Sequence, residues 1–67
     1  MTYGEMLQEY LDEKGMTAAD IAKALGVSRS SINFLMHGDH EPSFGRAKAI
    51  ADILGVSLQE MADRLYG

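Results

Sequence analysis

Cysteine is absent from the sequence, so neither a disulfide nor a thiolate metal site can staple the chain. That absence suits a reducing compartment, and a cytoplasmic protein is the expectation. No apolar run approaches the roughly 18 residues of a membrane span. The start, MTYGEMLQEYLDEKG, is acidic and amphipathic, where a secretory signal would be basic and then continuously apolar. No glycine-rich phosphate loop and no cysteine nucleophile occur. Ser28, Ser30, Ser31 and Ser43 are accounted for by helix caps and a polar helix face. Proline occurs once, at Pro42, where it disfavours helix at Glu41. Nothing in this inventory points to an enzyme, a cofactor or a resident metal.

Positive charge is also scarce. Six Lys and Arg face ten Asp and Glu, a net charge of −4, which taken alone argues against a nucleic-acid partner. The balance is uneven along the chain. Residues 1–13 carry four acids and no base, whereas residues 14–38 carry Lys14, Lys23 and Arg29 against Asp20 alone. A net-negative protein can still present a neutral or basic face, and this middle segment is the place to look for it.

What is present is apolar periodicity and capping. The hydrophobic share of 46% is that of a folded domain, and 67 residues predict a single domain spanning 1–67. A chain this short buries only about 60% of its unfolded surface, so almost every apolar residue is needed inside. No stretch alternates with period two for long enough to make a strand. Thr2 and Glu5 form a capping-box signal. Behind it Tyr3, Met6, Leu7, Tyr10 and Leu11 fall on one helical stripe, and Gly15 stops the helix. Thr17 caps a second helix with Ile21, Ala22 and Leu25 inward. Ser28 caps a third, anchored by Ile32 and Leu35 and ending near Gly38. Ser43 caps a fourth, with Phe44, Ala47, Ile50, Ala51 and Leu54 as its inward stripe. Ser57 caps a fifth, with Glu60 in a capping box and Leu58, Met61, Ala62 and Leu65 facing in. Tyr3, Tyr10 and Phe44 are expected in the core, as are Met61 and Leu65. The fold class expected is all-α.

The stretch LGVS occurs twice, at Leu25–Ser28 and Leu54–Ser57. Each copy joins two helices through a stop glycine, a packing valine and a serine cap. The first copy lies in TAADIAKALGVSRSSINFLMHG, a helix, a three-residue corner and a short helix that match a helix-turn-helix over about residues 17–36. Ala22 is small where the two helices must approach, and Arg29, Ser30, Asn33 and Phe34 are left pointing outward.

This arrangement resembles the Cro/phage-repressor (XRE-like) family of helix-turn-helix DNA-binding proteins. The resemblance runs from the first helix to LGVSLQEMADRL and includes Gly38 and Pro42 of the loop. It implies a five-helix, lambda-repressor-like domain whose third helix lies in the DNA major groove. By position, Arg29, Ser30 and Phe34 then correspond to base-reading sites, with Asn33 beside them. Thr17, His37 and Ser43 correspond to phosphate contacts. Such side chains suit these roles: Arg pairs with guanine O6 and N7, Asn with adenine N6 and N7, and an apolar ring with a thymine methyl. The helix N-terminal amides at Thr17, Ser28 and Ser43 suit phosphate oxygens. The resemblance also implies double-stranded DNA as partner and a homodimer built by the C-terminal region, with Met61, Leu65 and Tyr66 as its candidates.

The chain departs from the family pattern in one direction. Ala18 stands where many members have Gln, Phe34 where a polar or basic residue is common, and Met36 where Glu is frequent. The loop after Gly38 reads DHE. Each change removes a polar or basic group from the expected DNA face. Two readings therefore stand side by side. One is a sequence-specific transcription regulator. The other is the same fold used as a protein-interaction module (antitoxin-like, anti-repressor or a reworked scaffold) through an apolar patch of Phe34 and Met36. His37, Asp39, His40 and Glu41 cluster within five residues of loop. Imidazole and carboxylate bind zinc or nickel, but a short loop does not arrange four structural ligands, and a solvated polar loop is the expectation.

Overall fold

The computed structural model describes residues 1–38 and 40–67. Five helices follow in order: α1 (Tyr3–Lys14), α2 (Ala18–Leu25), α3 (Arg29–Met36), α4 (Phe44–Leu54) and α5 (Leu58–Tyr66). No strand occurs among the described residues, and no helix is long and apolar enough to cross a membrane. The fold is all-α.

Every helix begins at a hydroxyl. Thr2, Thr17, Ser28, Ser43 and Ser57 each adopt extended backbone and accept the amide of the residue three positions on. Each such cap is worth about 1 kcal/mol. Three of the four connections share one construction, a glycine, an apolar residue and a hydroxyl cap: Gly15-Met16-Thr17, Gly26-Val27-Ser28 and Gly55-Val56-Ser57. At the two LGVS corners the glycines sit at φ 72° and 74°, a left-handed angle that L side chains resist. The following valine amides then donate to Ala22 and Ala51 oxygens, both at 3.0 Å, in a Schellman closure. Met16, Val27 and Val56 pack against the core. The α3–α4 connection is the exception; it ends α3 at an extended His37 and contains Asp39, which lies outside the described residues.

The core gathers Tyr3, Met6, Leu7, Tyr10 and Leu11 of α1, Ile21 and Ala22 of α2, Ile32 and Leu35 of α3, Ile50, Ala51 and Leu54 of α4, and Met61 of α5. Helix α2 packs against α3 and α4, and α1 against α3 and α5. At the α1–α3 contact a Cβ on Gly4 would overlap the Met36 backbone carbonyl, so only glycine lets α1 sit that close. Leu65 is half-buried and packs on the core with Leu58, while Tyr66 is 73% exposed.

Two sequence expectations are overturned here. Phe44 is not a core residue: it is 78% exposed. It occupies the first position of α4, where the stripe leaves the core, and Ile50, Ala51 and Leu54 do the packing further along the helix. Glu60 does not close a capping box. Ser57 accepts the Glu60 amide at 3.0 Å, but the Glu60 carboxylate receives the Tyr10 hydroxyl at 2.9 Å instead of reaching back to its own cap.

Candidate nucleic-acid interface

Helix α3 presents two faces because only two of its eight residues are buried. Ile32 is fully buried and Leu35 nearly so. Arg29, Ser30, Asn33 and Phe34 are exposed on the outer side of the helix that α2 holds in place. Ser28, the cap, shares a 3.0 Å hydrogen bond with the Ser31 hydroxyl.

The helix N-termini differ in what they offer an anion. A helix start carries roughly half a positive charge. In α1, α2 and α5 an acid in the first turn answers it: Glu5, Asp20 and Glu60. Helices α3 and α4 have no acid there. Instead they carry Arg29 at the first position and Arg46 at the third. These two starts border one concavity of about 470 Å³, lined by Ser30, Ser31, Phe34, Ser43 and Arg46. The Ser43 oxygen accepts the Arg46 amide at 3.4 Å, which leaves its hydroxyl proton free to donate. Arg46 was not singled out from the sequence. Its signal there is its place three residues after the Ser43 cap, and it gains meaning only once α4 is set beside α3.

The remaining expected residues lie on the other side of α3. Asn33 and His37 line a concavity of about 340 Å³ with Glu5 and Gln8 of α1, Ala18 of α2 and Met36. Thr17, at the start of α2, is exposed but already engaged. Its amide donates to Asp20 Oδ2 at 2.9 Å, and its hydroxyl oxygen accepts the Asp20 amide at 3.2 Å. A free hydroxyl proton is what Thr17 has left to give. The two sides of α3 therefore differ in the charge beside them, Arg46 toward α4 and Glu5 toward α1. The apolar patch expected from Phe34 and Met36 does not form as one surface. Met36 is half-buried and packs on the core, and it lines the α1 side while Phe34 lines the α4 side.

In the α3–α4 loop the polar residues have separate occupations. His40 stacks on Phe34 with ring centroids 4.0 Å apart, and Glu41 accepts the Tyr66 hydroxyl at 2.9 Å. That bond, with the charge on Glu41, holds the Tyr66 hydroxyl above its ordinary pKa. Among the described residues no three His, Asp or Glu gather as metal ligands; Asp39, the fourth residue of the sequence cluster, is not described.

Ion pairing redistributes the few cations. Lys48 pairs with Asp52 at 2.7 Å. Arg64 pairs with Glu13 at 2.6 Å and Glu9 at 3.5 Å and lies over the Tyr10 ring. Among the described residues Lys14, Lys23, Arg29 and Arg46 enter no ion pair. The cations left unpaired thus include both arginines at the α3 and α4 starts, and the acidic face of α1 is partly neutralised by α5.

The family model described as helix-turn-helix matches residues 7–61. An uncharacterized HTH-type transcriptional regulator of Bacillus subtilis, YazB, is 33% identical over 60 residues, covering 90% of this chain and 87% of its own. A second, from Archaeoglobus fulgidus, is 33% identical over 82% of this chain and 79% of its own. A third, MJ0272 of Methanocaldococcus jannaschii, is 36% identical over 82% of this chain and 83% of its own.

Proposed function

Because the chain belongs to the Cro/C1-type (XRE-like) helix-turn-helix family, we propose that it is a sequence-specific transcription regulator acting in the cytoplasm. It occupies an operator as a homodimer with α3 in the DNA major groove. The family is a regulator DNA-binding domain, not an enzyme class, and the relatives bear regulator names. The observation that carries the reading is the pair of acid-free helix starts, α3 and α4, whose Ser30, Ser31, Ser43 and Arg46 line one concavity beside the exposed face of α3.

In this reading Arg29 donates to guanine O6 and N7, Asn33 pairs with adenine where it reaches, and Phe34 meets a thymine methyl. Ser30 sits among them as an adaptable hydroxyl. Ser43, Arg46 and the amides of the α3 and α4 starts at Ser28 and Ser43 hold phosphates on one side. Thr17 and His37 hold them on the other. An eight-residue reading helix specifies few base pairs, so two copies are needed for a usable site. A two-fold pair sets its reading helices about 34 Å apart, one DNA turn. The second copy is received by an apolar groove of about 380 Å³ between α1, α4 and α5, flanked by the exposed rings of Phe44 and Tyr66.

The test is selection from random duplex DNA at low salt, followed by anisotropy titration of the enriched pool against rising salt. A near-palindromic motif with half-sites one turn apart is expected. Arg29→Ala should cost about 1–3 kcal/mol and relax preference at one base pair. Arg46→Ala should weaken all sequences alike and reduce the salt slope by about one. Failure to enrich any motif would overturn the regulator and leave the fold to a protein partner.

A further inference from the structure

The ring of Phe34 on the outer face of α3 is not bare. The His40 imidazole folds back from the α3–α4 loop and stacks on it, with centroids 4.0 Å apart and planes 22° from parallel. Gly38, at φ 93°, makes the reversal, and the imidazole passes beside it. On its far side His40 lines a small cleft with Met1, Thr2, Tyr3 and Glu41. Phe34, 63% exposed, borders the α3–α4 concavity with Ser30 and Arg46. His40 therefore stands as a spacer between the body of the protein and the reading side chain.

An exposed aromatic on a helix surface otherwise samples several rotamers, and fixing one of them on contact with a ligand costs affinity. A stacked ring held beforehand removes part of that cost. It also decides which base step the ring meets, because Phe34 has no hydrogen-bonding group to find its own register. We infer that His40 is a positioning residue for DNA readout: it clamps the Phe34 ring in place, and preference at the base pair under Phe34 depends on it. The inference rests on the DNA-binding reading above. It assigns His40 no contact with DNA.

Four proteins test it by the same duplex selection and titration: wild type, Phe34→Ala, His40→Ala and His40→Phe, the last keeping a ring to stack but no ring N–H. Loss of a stacked aromatic partner corresponds to about a three- to tenfold change in binding. His40→Ala should weaken binding to the wild-type motif by that factor. It should lose preference only at the position that Phe34→Ala also loses, leaving the rest of the motif intact. His40→Phe should restore both. The double variant, Phe34→Ala with His40→Ala, should be no weaker than Phe34→Ala alone.

In the free protein Phe34→Ala should shift the His40 ring-proton resonances as the ring current disappears. Unmoved resonances would overturn the stack. A wild-type motif and affinity unchanged by His40→Ala would overturn the role while leaving the regulator standing. Additive losses, or a salt slope reduced by about one in both His40 variants, would mean a direct phosphate contact and also overturn it. If the wild type enriches no duplex at all, the DNA reading fails and this role fails with it. Both side chains are exposed, so thermal unfolding curves of the variants should overlay that of the wild type.

Discussion

Tyr3 carries the one buried side-chain polar atom without a hydrogen-bond partner among the described residues, its hydroxyl. Burial, and secondarily the charge of Glu41, pushes its pKa up to about 12. A phenol whose folded pKa lies above its unfolded value of 10.0 binds its proton more tightly in the fold. Its contribution is therefore complete below about pH 10 and lost as pH rises through about 12. Tyr3→Phe should leave stability at pH 7 unchanged or slightly higher, since an orphaned hydroxyl is removed. It should also flatten the alkaline decline, read as the urea midpoint between pH 7 and 11.5. A decline of the same steepness in the variant would mean that Tyr3 is not the group responsible. Gly4 makes the opposite kind of demand. A methyl there meets the Met36 carbonyl, which is backbone and cannot rotate away. Gly4→Ala should destabilise by about 1–3 kcal/mol as overpacking, despite the better helix propensity of alanine. An unchanged or raised urea midpoint would contradict the close approach of α1 and α3.

At the scale of the helix, docking rests on few residues, and the consequences of removing one are large. Helix α3 holds by Ile32 and Leu35. Ile32→Ala should cost about 2–5 kcal/mol through lost burial and the cavity left behind, measured by chemical unfolding. A change near zero would mean that the helix is not seated as described. Helix α5 is fastened differently. Met61 is its one buried residue, Leu58 and Leu65 pack half-buried against the core, and polar contacts to α1 add to these: Tyr10 donating to Glu60, and Arg64 forking onto Glu13 at 2.6 and 3.1 Å. The forked bond holds the Glu13 carboxyl below the usual carboxylate range. That contribution is present above the ordinary carboxylate pKa and fades as pH falls through the lowered one. These contacts are exposed, so salt weakens them too.

Over the whole molecule, charge and apolar surface are segregated in a way the totals conceal. A net charge of −4 describes a protein in which Lys48 of α4 and Arg64 of α5 are paired to acids, while among the described residues Arg29 and Arg46, at acid-free helix starts, enter no ion pair. The large apolar side chains left exposed among the described residues are Met1, Phe34, Phe44 and Tyr66. Phe34 belongs to the proposed reading face, and Phe44 and Tyr66 flank the groove proposed for a second copy. Replacing both by alanine should abolish concentration-dependent dimerisation in sedimentation velocity and lower DNA affinity, with little change in unfolding midpoint. A wild type that remains monomeric at every concentration, alone and on its selected duplex, would remove the homodimer.

The sequence by itself determined the five helices, their hydroxyl caps, the glycine corners and the division of α3 into an anchored face and a free one. Each of these is set within about one helical turn: a cap bonds three residues on, and an apolar stripe repeats at three or four. Only the tertiary structure decided that Phe44 faces solvent, that Glu60 serves Tyr10 fifty residues away instead of its own cap, that Arg46 joins Ser30 and Phe34 at one concavity, and that His40 covers Phe34. It also set Met36 toward α1 and Phe34 toward α4, so that the apolar patch expected of the two does not form. Those outcomes depend on which helices lie side by side and how closely. No local pattern encodes that distance, because it is set by the volumes of side chains, or at Gly4 by the absence of one, meeting from separate parts of the chain.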